Sequence, residues 1–337
     1  MRVFINGFGR IGRSVVRAAL QDRARGGGRW SGITIAGIND IATPEMCAYL
    51  FQYDSVFGPW PGTVALEDGA LVVDGLAIPL HRTADLAALD LSGTDLVMEC
   101  TGRADRPEIA GQGLAAGADR VLISGPSRAA EFTVVLGANE AALGAQRIVS
   151  NASCTTNALA PLVALIEAQW GVVTGTMTTV HCYTGSQPTV DAPAADFARS
   201  RAAALSMVPT TTSAGRLLDG VLPGLEGRII AQAVRVPTAS VSAVDLAVVT
   251  ARPVTVDAVN AVFRACAARG GVIGATDQPL VSSDLRARRE SVVMACPETR
   301  VTRVPVAGGS LLRVFGWYDN EWGFSNRMLD VAARMAG

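Results

Sequence analysis

Cys154 and His181 are the residues whose types and spacing most directly offer covalent chemistry. Cys154 stands in "NASCTTNALAP" (151–161), a thiol among small polar side chains just ahead of an apolar run. Ser153 or Asn151 is placed to cap a helix that starts near Cys154 and runs through "TTNALAPLVALIEAQW". At such a position the free N–H groups and the helix dipole favour a thiolate, the nucleophilic form. Pro161 fits only if the first turns bend or tighten around it. The commoner fate of a single cysteine is that of a small buried hydrophobe. That is the reading for Cys47, Cys100 and Cys266, all in apolar surroundings. His181 ends the strand-like "GTMTTVH", 27 residues after Cys154. Helix, turn and strand can return that end beside the helix start, where an imidazole serves a thiol as base. The second of the two histidines, His81, follows a hairpin and is expected to be a solvated loop residue.

The chain of 337 residues contains no lysine, so Schiff-base chemistry and a phosphate-binding P-loop lysine are both excluded. Any phosphate must be held by arginine and hydroxyl donors. Thr184, Ser186, Arg201, Thr212 and Arg235 recur around the loops of the second half and are the candidates. A second motif lies at the start. "INGFGRIGR" contains Gly7-x-Gly9-x-x-Gly12 between a strand and a helix, a turn that lets backbone approach a pyrophosphate at a helix N-terminus. A following strand ends in Asn39-Asp40, where the acid can accept from an adenosine ribose. A structural turn, with Asp40 capping a helix, is the plainer alternative.

These groups need a scaffold. The first 150 residues alternate strands ("VFING", "ITIAGIND", "TDLVMECTG", "DRVLISGPS") with helical patterns ("IGRSVVRAAL", "ADRPEIAGQGLAAG"), which implies βαβ units and a parallel sheet. "GALVVDGLAIPLH" (69–81) reads as an inserted hairpin turning at Asp74-Gly75. The second half is strand-rich and alternating, hence a mixed or antiparallel sheet in an α+β domain. A polar, proline-containing stretch at 184–208 is long enough to be functional or an interface. The chain closes on the amphipathic "NRMLDVAARMA".

Formal charge is -1, which gives no electrostatic case for nucleic acid or an anionic membrane. No apolar run approaches the ~18 residues of a membrane span. The six cysteines show no metal-ligand or disulfide spacing and read as reduced, cytosolic thiols.

The strings "INGFGRIGR", "ECTG", "ASCTTN", "AVRVPT", "PLVSSD" and "WYDNEWGFSNRMLD" closely resemble the phosphorylating glyceraldehyde-3-phosphate dehydrogenase family, in family order over almost the whole chain. The resemblance implies a Rossmann NAD-binding domain of residues 1–153, completed by the C-terminal helix 320–337, and a catalytic and tetramerisation domain of residues 154–319. It makes Cys154 the nucleophile and His181 its base. Cofactor-binding positions would be Gly7, Gly9, Arg10, Ile11, Gly12, Asp40, Thr101, Ser124 and Asn320, with Asn320 orienting the nicotinamide carboxamide. Thr184 and Arg235 would hold the substrate phosphate. Ser153, Thr155, Arg201 and Thr212 would hold the attacking inorganic phosphate, with Ser186 and Ser213 among the further substrate- or phosphate-binding positions. A cytoplasmic homotetramer using NAD, a phosphorylated aldehyde and inorganic phosphate is implied, with 184–208 as its S-shaped interface loop.

Departures from the pattern are Pro188 for a frequent lysine, Ser213 for glycine, Phe57 for histidine, and a short segment after Ser127. Ser213 is expected to crowd the inorganic-phosphate site. Glyceraldehyde 3-phosphate is the expected substrate. Erythrose 4-phosphate, a related aldehyde of a specialised pathway, and a non-catalytic binding module remain as alternatives. Asp40, flanked by Ile41, is expected to favour NAD over NADP unless an arginine of "RARGGGR" folds back.

Overall fold

The computed structural model describes residues 1–26, 28–304 and 308–336, and the counts below refer to these. The chain divides into two compact units, Met1–Val134 with Ala141–Ala152 and Ser325–Gly337, and Val135–Glu140 with Ser153–Phe324.

The first unit is built on nine strands: β1 (Arg2–Asn6), β2 (Thr34–Asn39), β3 (Val64–Glu67), β4 (Ala70–Val73), β5 (Leu76–His81), β6 (Leu96–Glu99), β7 (Arg120–Ile123), β8 (Phe132–Thr133) and β9 (Ile148–Ser150). Their order is β3-β4-β5-β2-β1-β6-β7-β9-β8. The core from β5 to β8 is parallel. Its central strands are buried on both faces, which is why β1 and β6 read as continuous apolar runs rather than alternating ones. β3, β4 and β5 form an antiparallel meander. Asp74 and Gly75 turn between β4 and β5 with φ of 50° and 81°, the geometry of a two-residue hairpin. His81 is the exposed last residue of β5 rather than part of a loop.

Helix α1 (Arg10–Ala24) follows β1 directly. α2 (Pro44–Gln52) starts on the Thr43 cap, whose hydroxyl accepts from Met46 N–H at 3.3 Å. The expected single helix after β6 is two short ones, α3 (Pro107–Ala110) and α4 (Gln112–Ala115), interrupted at Gly111.

The second unit carries an eight-stranded mixed sheet: β10 (Val172–Cys182), β11 (Val208–Thr210), β12 (Ile229–Val236), β13 (Ser242–Thr250), β14 (Ile273–Thr276), β15 (Val292–Ala295), β16 (Arg300–Arg303) and β17 (Ser310–Tyr318). The order is β11-β12-β10-β13-β17-β15-β14, with β16 also on β17. β10 pairs parallel with β12 and antiparallel with β13. α5 (Cys154–Trp170) packs on this sheet and on α6 (Ala214–Val221). α7 (Val256–Ala268) packs against β14. Residues of β10 alternate: Met177, Thr179 and His181 are buried, while Thr174 and Thr176 lie exposed on the other face. α8 (Trp322–Met335) closes the chain, and the division between the units falls inside it.

Candidate active site

In the first unit, the turn from β1 into α1 is set by packing. A Cβ on Gly12 would lie 2.2 Å from the Gly7 carbonyl oxygen, so only glycine lets the helix begin so close to the turn. A Cβ on Gly9 would meet nothing within 4 Å, which leaves that peptide edge open to a ligand. Gly9 also caps α1 without a side-chain acceptor, so the first N–H groups of the helix remain available to an anion. An open cleft of about 250 Å³ adjoins this turn, lined by Gly7, Gly9, Asp40, Ile41, Thr101 and Arg103 among others.

The Asp40 carboxylate is fixed in place, accepting from Phe8 N–H at 2.6 Å and Ala42 N–H at 2.9 Å. A carboxylate has about four acceptor sites, so lone pairs are left for a ribose diol. Open backbone at a helix start beside an anchored acid fits a dinucleotide.

Other expected cofactor residues are placed as follows. Ile11 is the half-buried second residue of α1. The Arg10 guanidinium bonds Asp54 and lies 5.3 Å from the Phe57 ring centroid, so the unusual phenylalanine serves as a platform for it. Arg10 can therefore meet a cofactor through its backbone. Thr101 donates to Glu99 through N–H (2.8 Å) and hydroxyl, and Ser124 N–H donates to the Glu99 carbonyl at 2.9 Å. Of the Gly-rich-loop arginines, Arg29 is held by Asp330 through bonds of 2.9 and 2.8 Å. Arg103 lines the cleft, and Arg82 Nε donates to the carbonyl of Ile41, another lining residue, at 3.1 Å.

In the second unit, α5 begins at Cys154, and Ser153 rather than Asn151 caps it, its Oγ accepting from Thr156 N–H at 3.0 Å. Pro161 is accommodated inside the helix. β10 brings His181 to the helix start, with Cys154 Sγ 3.6 Å from His181 Nε2. His181 Nδ1 lies 2.7 Å from the Cys182 carbonyl oxygen. In the tautomer with the ring proton on Nδ1, that proton goes to the carbonyl and Nε2 is free to accept from the thiol, while Arg235 donates to the carbonyl and not to Nδ1. β12 places Arg235 opposite His181 in the sheet register. Arg235 Nη1 is 2.9 Å from the Cys182 carbonyl and 2.7 Å from Nδ1.

Burial, and next the Arg235 charge, push His181 from 6.5 down to about 4. Burial likewise pushes the Cys154 thiol above 9.0, although Thr155, Arg235 and the helix-start N–H groups pull it back. Both shifts lean towards the neutral forms, thiol and imidazole. The helix start and Arg235 favour a thiolate, and desolvation of the charged form opposes them.

Tyr318 ties the site together. Its buried hydroxyl lies 2.9 Å from Thr155 Oγ1 and 2.7 Å from Thr179 Oγ1, and its ring meets His181 edge-on at 6.0 Å. In the sequence Tyr318 stands within "WYDNEWGFSNRMLD", with nothing local to mark this role.

The phosphate candidates separate. Arg235 touches His181 of the catalytic pair. Thr184 and Ser186 bond each other at 2.9 Å. Arg201 is turned to Asp191, Nε to Oδ2 at 2.8 Å. The guanidinium beside the threonine string is Arg199, which donates to Thr210 Oγ1 at 2.6 Å and Thr211 Oγ1 at 3.1 Å. Nothing local in the sequence marks Arg199 beyond its position two residues from Arg201. Thr212 Oγ1 accepts from Ala214 N–H at 3.1 Å, starting α6. Ser213 has φ of -77°, an ordinary helical-side value, so a side chain there carries no backbone strain.

Residues 1–106 match the family described as "Glyceraldehyde 3-phosphate dehydrogenase, NAD binding domain", and residues 153–320 match its C-terminal domain. A glyceraldehyde-3-phosphate dehydrogenase of Zymomonas mobilis is 45% identical over 343 aligned residues, covering 100% of this chain and 98% of that protein. That of Cereibacter sphaeroides is 44% identical, covering 99% and 98%, and that of Geobacillus stearothermophilus is 40% identical, covering 100% and 98%. The chain belongs to the glyceraldehyde-3-phosphate dehydrogenase family.

Proposed function

We propose that this chain catalyses NAD-dependent oxidation and phosphorylation of D-glyceraldehyde 3-phosphate to 1,3-bisphosphoglycerate through a thioester on Cys154. The observation that carries the reading is the Cys154–His181 contact at 3.6 Å with Arg235 directly behind the imidazole. The kinship supports the substrate and the cofactor.

Cys154 sulfur attacks the aldehyde carbon as its proton passes to His181 Nε2 and on to the carbonyl oxygen. His181 then takes the hydroxyl proton back while the hydride leaves that carbon. NAD, when bound, supplies the hydride acceptor. The carbonyl oxygen needs donors, for which the Cys154 N–H and the imidazolium serve. Inorganic phosphate adds to the thioester carbonyl, the C–S bond breaks, and the thiolate regains a proton. Arg235 holds the substrate phosphate, with Thr184 and Ser186. That phosphate offsets the Arg235 charge and so restores basicity to His181. Arg199 joins Thr212, Ser153 and Thr155 as donors for inorganic phosphate. Asp40 accepts from the adenosine ribose, and Asn320 holds the nicotinamide carboxamide.

The protein works as a homotetramer in the cytoplasm, in glycolysis. Support for assembly is the apolar surface of the 184–208 segment, where Phe197 is 96% exposed and Leu205 84%. The bare sheet face carrying Ile230 and Leu311 adds to it. Reduced, unpaired cysteines suit a reducing compartment. The test is NAD reduction with glyceraldehyde 3-phosphate and with erythrose 4-phosphate, each with and without phosphate. Phosphate-dependent turnover favouring the triose supports the reading, and preference for the tetrose replaces it.

A further inference from the structure

Cys182 follows His181 on β10, is 1% exposed, and has no part in the chemistry above. Its thiol donates to Asn320 Oδ1 at 3.1 Å. Ser242 Oγ donates to the same oxygen at 3.3 Å, and itself accepts from Cys182 N–H at 3.2 Å. All three residues are buried. Burial keeps the thiol protonated, pushed up to about 12, so it remains a donor at neutral pH.

An amide oxygen has two lone pairs, and here two donors fill them. Were the amide to turn over, its NH₂ would face a hydroxyl that already accepts from Cys182 N–H and a thiol that accepts only weakly. Nδ2 of Asn320 meets no protein acceptor among the described residues. The two donors therefore favour the amide with its oxygen inward and its NH₂ available.

We propose that Cys182, together with Ser242, is a positioning residue that fixes Asn320 as a one-way donor to the carbonyl oxygen of the nicotinamide carboxamide. The inference rests on the reading of Asn320 as the nicotinamide residue. It has a consequence for recognition. Asn320 reads the carboxamide carbonyl and is indifferent to the carboxamide NH₂. An analogue with acetyl in place of carboxamide keeps the group that is read.

The test is calorimetric titration of the full-length protein with NAD and with 3-acetylpyridine adenine dinucleotide. Wild type should bind the two within about threefold of each other, because the donated hydrogen bond is the same in both. Cys182→Ala leaves one donor at 3.3 Å and lets the amide turn its oxygen outward. That oxygen can accept from the NH₂ of NAD and finds no donor on the analogue. The ratio of analogue to NAD dissociation constants should then rise by about threefold or more. Cys182→Ser restores a donor and should return the ratio to the wild-type value. Where Cys182→Ala does not fold, Ser242→Ala carries the same comparison.

An unchanged ratio in the alanine variant, or an equal rise in the serine variant, overturns the positioning role. Asn320→Ala separates the two levels of the argument. If it weakens NAD while Cys182→Ala leaves the ratio alone, only this inference falls. If it leaves NAD affinity unchanged, the reading of Asn320 itself falls.

Discussion

Acid should destabilise this protein through one histidine. His181 is buried between Cys154, Arg235 and Tyr318, and its folded value lies at about 4 against 6.5 for a free imidazole. Between those two values the unfolded chain binds a proton that the folded chain refuses, so stability falls as pH falls. The contribution is fully present above pH 6.5 and is lost by about pH 4. At about 1.4 kcal/mol per pH unit, that interval is worth about 3 kcal/mol. The perturbation is His181→Gln, which keeps a polar side chain but removes the titration. Urea unfolding of both proteins should show wild type losing about 3 kcal/mol more than the variant between pH 7 and pH 4. The sequence has only two histidines, so carbon-13 NMR of labelled imidazoles, assigned with the same variant, gives the titration directly. A His181 titration midpoint near 6.5, or parallel stability profiles, would refute the reasoning. Binding of a phosphate ester at Arg235 should move that midpoint upward, because it cancels the second-largest cause of the depression.

Limited iodoacetamide should label Cys154 and abolish activity in step. Equal inactivation by label on Cys182 would contradict the assignment. NAD should be preferred to NADP by at least about tenfold in kcat/KM, since an unpaired 2′-phosphate beside Asp40 costs about 1.4 kcal/mol or more. Arg82 and Arg103 are the residues to replace if steady-state kinetics show no preference. Arg199→Gln should raise the KM for inorganic phosphate by about tenfold, whereas Arg201→Gln, already paired with Asp191, should change it by less than about twofold. Equal effects would return Arg201 to the site. Sedimentation should find a tetramer, and a fully active monomer would remove the assembly.

What the sequence made legible follows from local rules. Glycine spacing after a buried strand announces the β1–α1 turn, and a serine before a cysteine and an apolar run announces α5. The return of His181 to Cys154 follows from connectivity, because helix, turn and strand lead back to the same end. Choices made by tertiary contacts were not legible. Arg199 and Arg201 lie two residues apart on one segment. Only the short 3₁₀ turn at Ala198–Ser200 and the pull of Asp191 decide which faces the threonines. The contact from Cys182 to Asn320 spans 138 residues and leaves no periodic trace. The desolvation that opposes charge on the pair was likewise hidden, since a helix start is visible in sequence and the depth of burial is not. Phe57 was legible only as a departure, and its place under Arg10 gives the reason for it.

The central claim is a covalent thioester on Cys154, and intact-protein and peptide mass spectrometry test it directly. The protein is mixed with NAD and glyceraldehyde 3-phosphate without inorganic phosphate, then quenched in acid. The account predicts a phosphoglyceroyl adduct on the peptide bearing Cys154, formed in step with NADH and discharged when phosphate is added. NADH formed with no adduct on any cysteine, or with the adduct on another thiol, would contradict it.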